Sequence, residues 1–182
     1  MNAPVHTQLA LRHSYFEASA RSRVAQLLDA GSFREFLPPE VSQPSPHLAV
    51  LGTPGAFDDG VIVGSGQLGG KPVLLIAQEG QFMGGAVGEI HGAKIVGLLR
   101  RAIVERPAAV VFMVDSGGVR LHEANAGLIA ISEIMRAVLD TRAAGVPVIA
   151  LVGGSCGAFG GMGIVSRLCS AIRSPISRTP RP

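Results

Sequence analysis

Val110-Val111-Phe112-Met113-Val114-Asp115-Ser116-Gly117-Gly118-Val119-Arg120-Leu121-His122-Glu123 carries the reading of this chain. Its first five residues are apolar without a break, the mark of an interior strand. Gly117-Gly118 then makes a sharp turn, because glycine takes left-handed backbone angles at little steric cost. An amphipathic helix follows. A strand, a glycine turn and a helix start gather free backbone N–H groups at one point, and such donors stabilise a developing oxyanion. The same pair also serves as a plain tight turn, so its neighbours must decide.

Outward from this stretch the pattern repeats. Val61-Ile62-Val63-Gly64-Ser65-Gly66 and Pro72-Val73-Leu74-Leu75-Ile76-Ala77 flank Gly69-Gly70, a hairpin signal. Gly84-Gly85 precedes a helix that runs to about Glu105, and a strand covers 108–114. Leu121, Ala124, Leu128, Ile131, Met135 and Val138 recur at steps of three and four, which predicts a helix over 121–139. Gly145-Val146-Pro147 ends it. Val148-Ile149-Ala150-Leu151-Val152 is another interior strand, followed by a short helix near 159–167. Strands alternating with helices predict an α/β fold with a largely parallel sheet covered by helices. Three glycine clusters, at Gly84-Gly85, Gly117-Gly118 and residues 153–163, each lie between a strand and a helix, where α/β sheets hold ligands.

The N-terminal part is less regular. Residues 1–13 read as a flexible lead-in. Ser14 and Glu17 have capping-box spacing and predict a helix start at Ser14, with Val24, Leu27 and Leu28 as its apolar stripe and Gly31 at its end. Pro38, Pro39, Pro44 and Pro46 mark a rigid surface loop. After Ile172 the chain turns polar, with three arginines (Arg173, Arg178, Arg181) and three prolines, so 173–182 is expected to be a disordered tail.

Composition excludes several classes. Hydrophobic residues make up 47% of 182 and charged ones 16%, with mean hydropathy +0.38. No apolar run approaches the roughly 20 residues of a membrane helix. The excess therefore points to a deeply buried core together with surface buried against partner subunits. A net charge of +3 without aromatic-interleaved basic runs argues against nucleic acid. Cys156 and Cys169 make no disulfide framework, and no CxxC or HExxH spacing supports a metal. The N-terminus shows no signal peptide, so a reducing cytoplasm is expected. Neither the 117–118 cluster nor the 153–161 cluster has GxGxxG directly after a first strand with an acidic residue about 20 positions on, and no GxxxxGK[ST] loop is present.

The polar residues near the glycines leave alternatives. Ser116 lacks the GxSxG flanks of a nucleophile. Cys156 is either a nucleophile or, as a small buried residue in a glycine-rich turn, a structural residue, and the second reading is favoured. His122 is either a satisfied structural histidine or a proton donor one turn from the amides. Arg120 either holds a carboxylate or phosphate or is a solvated first-turn cation. Glu79, Glu89 and His91 read as loop polars or subunit contacts.

Four blocks in register carry a family resemblance. Residues 20–33 (Ala20-Arg21-Ser22-Arg23-Val24-Ala25-Gln26-Leu27-Leu28-Asp29-Ala30-Gly31-Ser32-Phe33) resemble the leading helix of acyl-CoA carboxylase carboxyltransferase subunits. Asp59-Gly60-Val61-Ile62-Val63-Gly64 and Phe82-Met83-Gly84-Gly85-Ala86-Val87-Gly88-Glu89-Ile90-His91 resemble their next blocks. Asp115-Ser116-Gly117-Gly118-Val119-Arg120 resembles their Ser-Gly-Gly-Ala-Arg turn. Within that group the runs 117–124 and 153–163 are most similar to beta subunits of biotin-independent malonate decarboxylase.

The resemblance implies a crotonase-like (ClpP/crotonase) spiral of ββα units over 14–172. It implies an enzyme subunit that decarboxylates a malonyl thioester together with a gamma subunit. The malonyl group would hang from a CoA-like (phosphoribosyl-dephospho-CoA) arm of an acyl carrier protein, with no biotin and no metal. It places the enolate oxygen on amides of Gly117, Gly118 and Val119, and the proton on His122. It gives substrate contacts to Gly84, Gly85, Arg120, Gly154, Ser155, Gly157 and Ala158. The zinc ribbon of the bacterial acetyl-CoA carboxylase beta subunit has no counterpart here. Neither has the C-terminal portion expected after 172, so the domain is expected to be truncated. The alternatives are a biotin-dependent carboxyltransferase subunit and a truncated, non-catalytic assembly partner.

Overall fold

A computed structural model describes residues 14–42 and 44–174. Six strands form one sheet in strict chain order: β1 (Arg34–Glu35), β2 (Val61–Leu68), β3 (Lys71–Gln78), β4 (Ala109–Val114), β5 (Val148–Val152) and β6 (Ala171–Arg173). The β1–β2 and β2–β3 pairs are antiparallel and the other three pairings are parallel. The β2–β3 hairpin turns at Gly69 and Gly70, both at positive φ, as a two-residue hairpin turn requires. The Asp29 carboxylate accepts both turn amides, at 2.9 and 2.8 Å, and so pins the hairpin to the N-terminal segment.

The helices are α1 (Ala20–Leu27), α2 (Pro46–Val50), α3 (Glu89–Glu105), α4 (Asn125–Ala143) and α5 (Gly160–Leu168). Alternate side chains of each strand feed two cores. Val63, Leu74, Ile76, Phe112 and Val148 pack under α3, α4 and α5, while Ile62, Leu75, Val111 and Met113 pack under α1. Burial of these apolar surfaces is the main stabilising term. The helices α3 and α4 approach closely, because a Cβ on Gly92 would lie 2.5 Å from Ala130 Cβ. The strand β5, expected to be interior, is buried on one face only: Ile149 and Leu151 are half-buried on the other, where the short α1 does not reach.

Four boundaries differ from the sequence reading. Ser14 and Glu17 do form a side-chain bond of 3.0 Å, but they close a turn. The helix starts at Ala20, capped by Ser19, whose hydroxyl accepts the Ser22 amide at 3.2 Å. The proline segment contains a 3-10 turn (Pro39–Val41) and α2 rather than a continuous loop. Leu121 and Leu128 are exposed although they were read as one apolar stripe. Ala124 has φ +45, which breaks the helix phase, so α4 instead buries Gly127, Ala130, Ile131, Ile134 and Val138. Arg173, assigned to the tail, ends β6 opposite Leu151. The lead-in 1–13 and residues 175–182 lie outside the described residues.

Candidate active site

The parallel strands β3, β4 and β5 each run into a glycine turn and then a helix, so all three turns meet at one sheet edge. Backbone bonds knit them together. Val87 bridges Val119 through Val87 N–H to Gly118 O at 2.8 Å and Arg120 N–H to Val87 O at 2.9 Å. Ser116 bridges Ala158 through Ser116 N–H to Gly157 O at 2.8 Å and Phe159 N–H to Ser116 O at 3.0 Å. Strand, short bridge and helix therefore recur three times, in β3–Val87–α3, β4–Val119–α4 and β5–Ala158–α5.

The bridging pattern selects which amides are free. Gly117 N–H donates to Gly84 O at 2.8 Å, so it is not the open donor the sequence suggested. Gly118 N–H is buried against Ser116 Oγ at 3.2 Å. Val119 N–H makes no hydrogen bond among the described residues, because Val87 bonds its two neighbours instead. The first two amides of α5, from Gly160 and Gly161, also lack partners there, and Phe159 offers no side-chain cap. Gly118 and Gly160 are neighbours: a Cβ on Gly160 would lie 3.7 Å from Gly118 Cα. Gly84 and Gly117 are exposed in the neighbouring turns, and Phe159, just before α5, is exposed as well.

Several expected substrate contacts have structural work instead. Arg120 is 1% exposed and donates to both Asp59 oxygens at 2.8 and 2.9 Å and to Glu123 Oε1 at 2.8 Å, with Phe82 stacked 5.4 Å from its guanidinium. It is neither a solvated cation nor open to a substrate anion, since it is buried with its Nη1 held by two buried carboxylates. Gly85 has no room for a Cβ, which would strike the Asp115 carbonyl. Gly154 is likewise required bare, because a Cβ there would strike the Asp115 carboxylate. Gly157 and Ala158 are half-buried, and Gly157 O and Phe159 N–H, on either side of Ala158, bond Ser116, while Ser155 is exposed next to Cys156, with Oγ 3.6 Å from its sulfur. His122 is exposed on the 3-10 turn Leu121–Glu123 and has no hydrogen-bond partner among the described residues. Ser116 is fully buried, its hydroxyl donating to Gly85 O at 2.5 Å, which removes it as a nucleophile.

His91 departs furthest from its reading as a loop polar. It is fully buried: Nδ1 faces Asp59 O at 3.0 Å and Nε2 faces Gln78 Nε2 at 3.0 Å. Burial, with Arg120 nearby, pushes its pKa down to about 3, so the ring is neutral, donates from Nδ1 and accepts at Nε2. Lys94 joins the same interior, donating to Asp58 O at 2.7 Å and Val61 O at 2.5 Å, with its pKa lowered by burial. Asp59 is the residue the sequence reading missed as a hub; its only signal was its place in a family block.

Two apolar grooves lie elsewhere, along α3. One is lined by Phe36, Leu37, Ile90 and Leu98, another by Gly92, Val96, Ile129 and Ala130 between α3 and α4. Among the described residues no group of acidic, His and Cys side chains has the makings of a metal site, and no helix is long and apolar enough to cross a membrane.

Parallel strands ending in glycine turns that are bridged edge to edge, each followed by a helix, define a crotonase-like fold with an open patch of backbone donors. The carboxyl transferase domain model matches residues 13–172, and the chain belongs to that family. It is 42% identical over 173 residues to the malonyl-S-ACP:biotin-protein carboxyltransferase MADC of Malonomonas rubra, spanning 87% of this chain and 54% of that protein. It superimposes with a TM-score of 0.84 and 44% identity on a chain of the Pseudomonas malonate decarboxylase hetero-tetramer in complex with malonate, covering 89% of this chain and 60% of that one. The transcarboxylase 12S structure with methylmalonyl-coenzyme A and methylmalonic acid bound matches at 28% identity with a TM-score of 0.74 over 86% of this chain and 29% of that chain. The chain spans about half the length of the MADC protein it matches.

Proposed function

We propose that this chain is part of a subunit that decarboxylates a malonyl thioester, and that its glycine turns hold the thioester oxygen. The single observation that carries the reading is the meeting of Gly118 with Gly160, which brings the turn holding the unpaired Val119 amide against the uncapped start of α5. Likeness to a malonate decarboxylase solved with malonate supports the substrate class.

The chemistry follows from charge. As the bond to the carboxylate carbon breaks, its electron pair moves into the thioester and leaves an enolate oxygen. Amides of Val119, Gly160 and Gly161 meet that oxygen, each contributing on the order of 3 kcal/mol by comparison with other oxyanion sites. The positive end of the α5 dipole adds to them. The enolate carbon then takes a proton, and exposed His122 is our proposed donor. Gly84, Gly117 and Gly157 leave room for an extended thioester arm, which we assign to a CoA-like group on an acyl carrier protein. Partner subunits, including a gamma subunit, would complete the site. Two free thiols suit a reducing, cytoplasmic setting.

A second reading has its own support. MADC is named as a transferase to a biotin protein, so the carboxyl group would pass to biotin instead of leaving as CO₂. The experiment that separates them is CO₂ release from malonyl thioester by the assembled complex with and without avidin. Avidin-insensitive release supports decarboxylation; avidin-blocked turnover supports transfer to biotin.

A further inference from the structure

The Asp115 carboxylate is wedged between all three glycine turns. It is 1% exposed. A Cβ on Gly80, after β3, would lie 2.5 Å from Asp115 Oδ2, and a Cβ on Gly154, after β5, would overlap it. Two turns have thus given up side chains to admit one carboxylate from the third. Its oxygens have separate duties. Oδ1 accepts the Cys156 amide at 2.8 Å. Oδ2 accepts Arg23 Nη2 at 2.7 Å, from α1 on the opposite face of the sheet. Arg23 is itself 3% exposed, donates from Nε to Tyr15 O at 3.0 Å and lies 5.0 Å over the Tyr15 ring.

The loop that Asp115 grips is the one that matters. Directly after Cys156, Gly157 O and Phe159 N–H bond Ser116, and Phe159 O abuts Gly118. Freeing Cys156 loosens the segment that sets the α5 amides against Gly118. Without Arg23, Asp115 would be an unpaired buried charge beside a site that must accept negative charge.

We infer that Asp115, with Arg23 as its counter-ion, is a positioning residue that fixes the 153–160 turn against Gly118 without touching substrate. The catalytic half of this inference rests on the decarboxylase or transferase reading above. The test combines amide hydrogen exchange of the full chain with kinetics of the assembled complex, using Asp115→Asn and the milder Arg23→Lys. Asp115→Asn cannot serve both the Cys156 amide and Arg23. Exchange across 153–160 should rise at least tenfold while α3 and β4 stay protected, and kcat should fall at least tenfold with KM within twofold. Arg23→Lys should shift both in the same direction by less, and it carries the test if Asp115→Asn does not fold. A folded variant with unchanged exchange at 153–160 overturns the inference. So does faster exchange with unchanged kcat, and so does an equal rise everywhere, which marks a general stability role. If the wild-type complex neither releases CO₂ nor carboxylates biotin, the functional reading fails, while the exchange result still decides the positioning claim.

Discussion

A Cβ on Gly118 would lie 3.2 Å from the Phe159 carbonyl oxygen and 3.6 Å from Gly160 Cα, so two turns far apart in sequence meet backbone to backbone. Gly160 itself has φ +51 and open space, with Gly118 Cα 3.7 Å from its would-be Cβ. Gly160→Ala therefore strains the left-handed backbone without a clash and should cost about 1–2 kcal/mol. Equilibrium denaturation measures this, and CO₂ release should fall with it because the α5 amides shift.

Glycines elsewhere answer to different constraints. Gly154→Ala drives a methyl group into the Asp115 carboxylate at positive φ and should yield little folded protein. Gly97→Ala, inside α3 with nothing within 4 Å, should stabilise by about 1 kcal/mol. Parallel urea titrations of the two variants check both signs.

Arg120 is the counter-ion that Asp59 and Glu123 share in the interior. Arg120→Met strands both carboxylates and should destabilise by about 3–5 kcal/mol. The loss should appear in denaturant midpoints and not as a selective rise in KM, since Arg120 is closed to substrate.

His91 makes stability depend on pH. The unfolded chain protonates it near its ordinary value of 6.5, the folded chain only near about 3. Between those values the unfolded state binds more protons. Stability contributed by neutral His91 is thus fully present above 6.5 and lost as pH falls, by about 1.4 kcal/mol per unit. Denaturation at pH 5, 6, 7 and 8 should show this slope below 6.5, and His91→Gln should flatten it.

The two thiols should separate cleanly. Burial pushes the Cys169 thiol up to about 11, leaving about a thousandth as thiolate at pH 8, whereas Cys156 is half-buried in the surface turn. Iodoacetamide at pH 8 followed by peptide mass spectrometry should label Cys156 and spare Cys169.

Local signals made much of this fold readable. The unbroken apolar run at 110–114, the Gly69-Gly70 hairpin and the strand–glycine–helix order each depend on a few adjacent residues. The site was less legible because its decisive partners are distant in sequence. Nothing near Arg120 announces that Asp59 will neutralise it, and nothing at Gly154 shows that Asp115 needs the space. The Gly117 amide looked free because a sequence does not show Gly84 O reaching across from another turn. The helix phase was misread at Leu121 because one residue at positive φ, Ala124, resets it.

The most direct test of the oxyanion site is CO₂ release from malonyl thioester by the assembled complex carrying Gly118→Val, with assembly followed by size-exclusion chromatography. The bulky side chain must displace Phe159 and Gly160, so CO₂ release should disappear while the complex still assembles. Full release by an assembled Gly118→Val complex would contradict the role given to these amides.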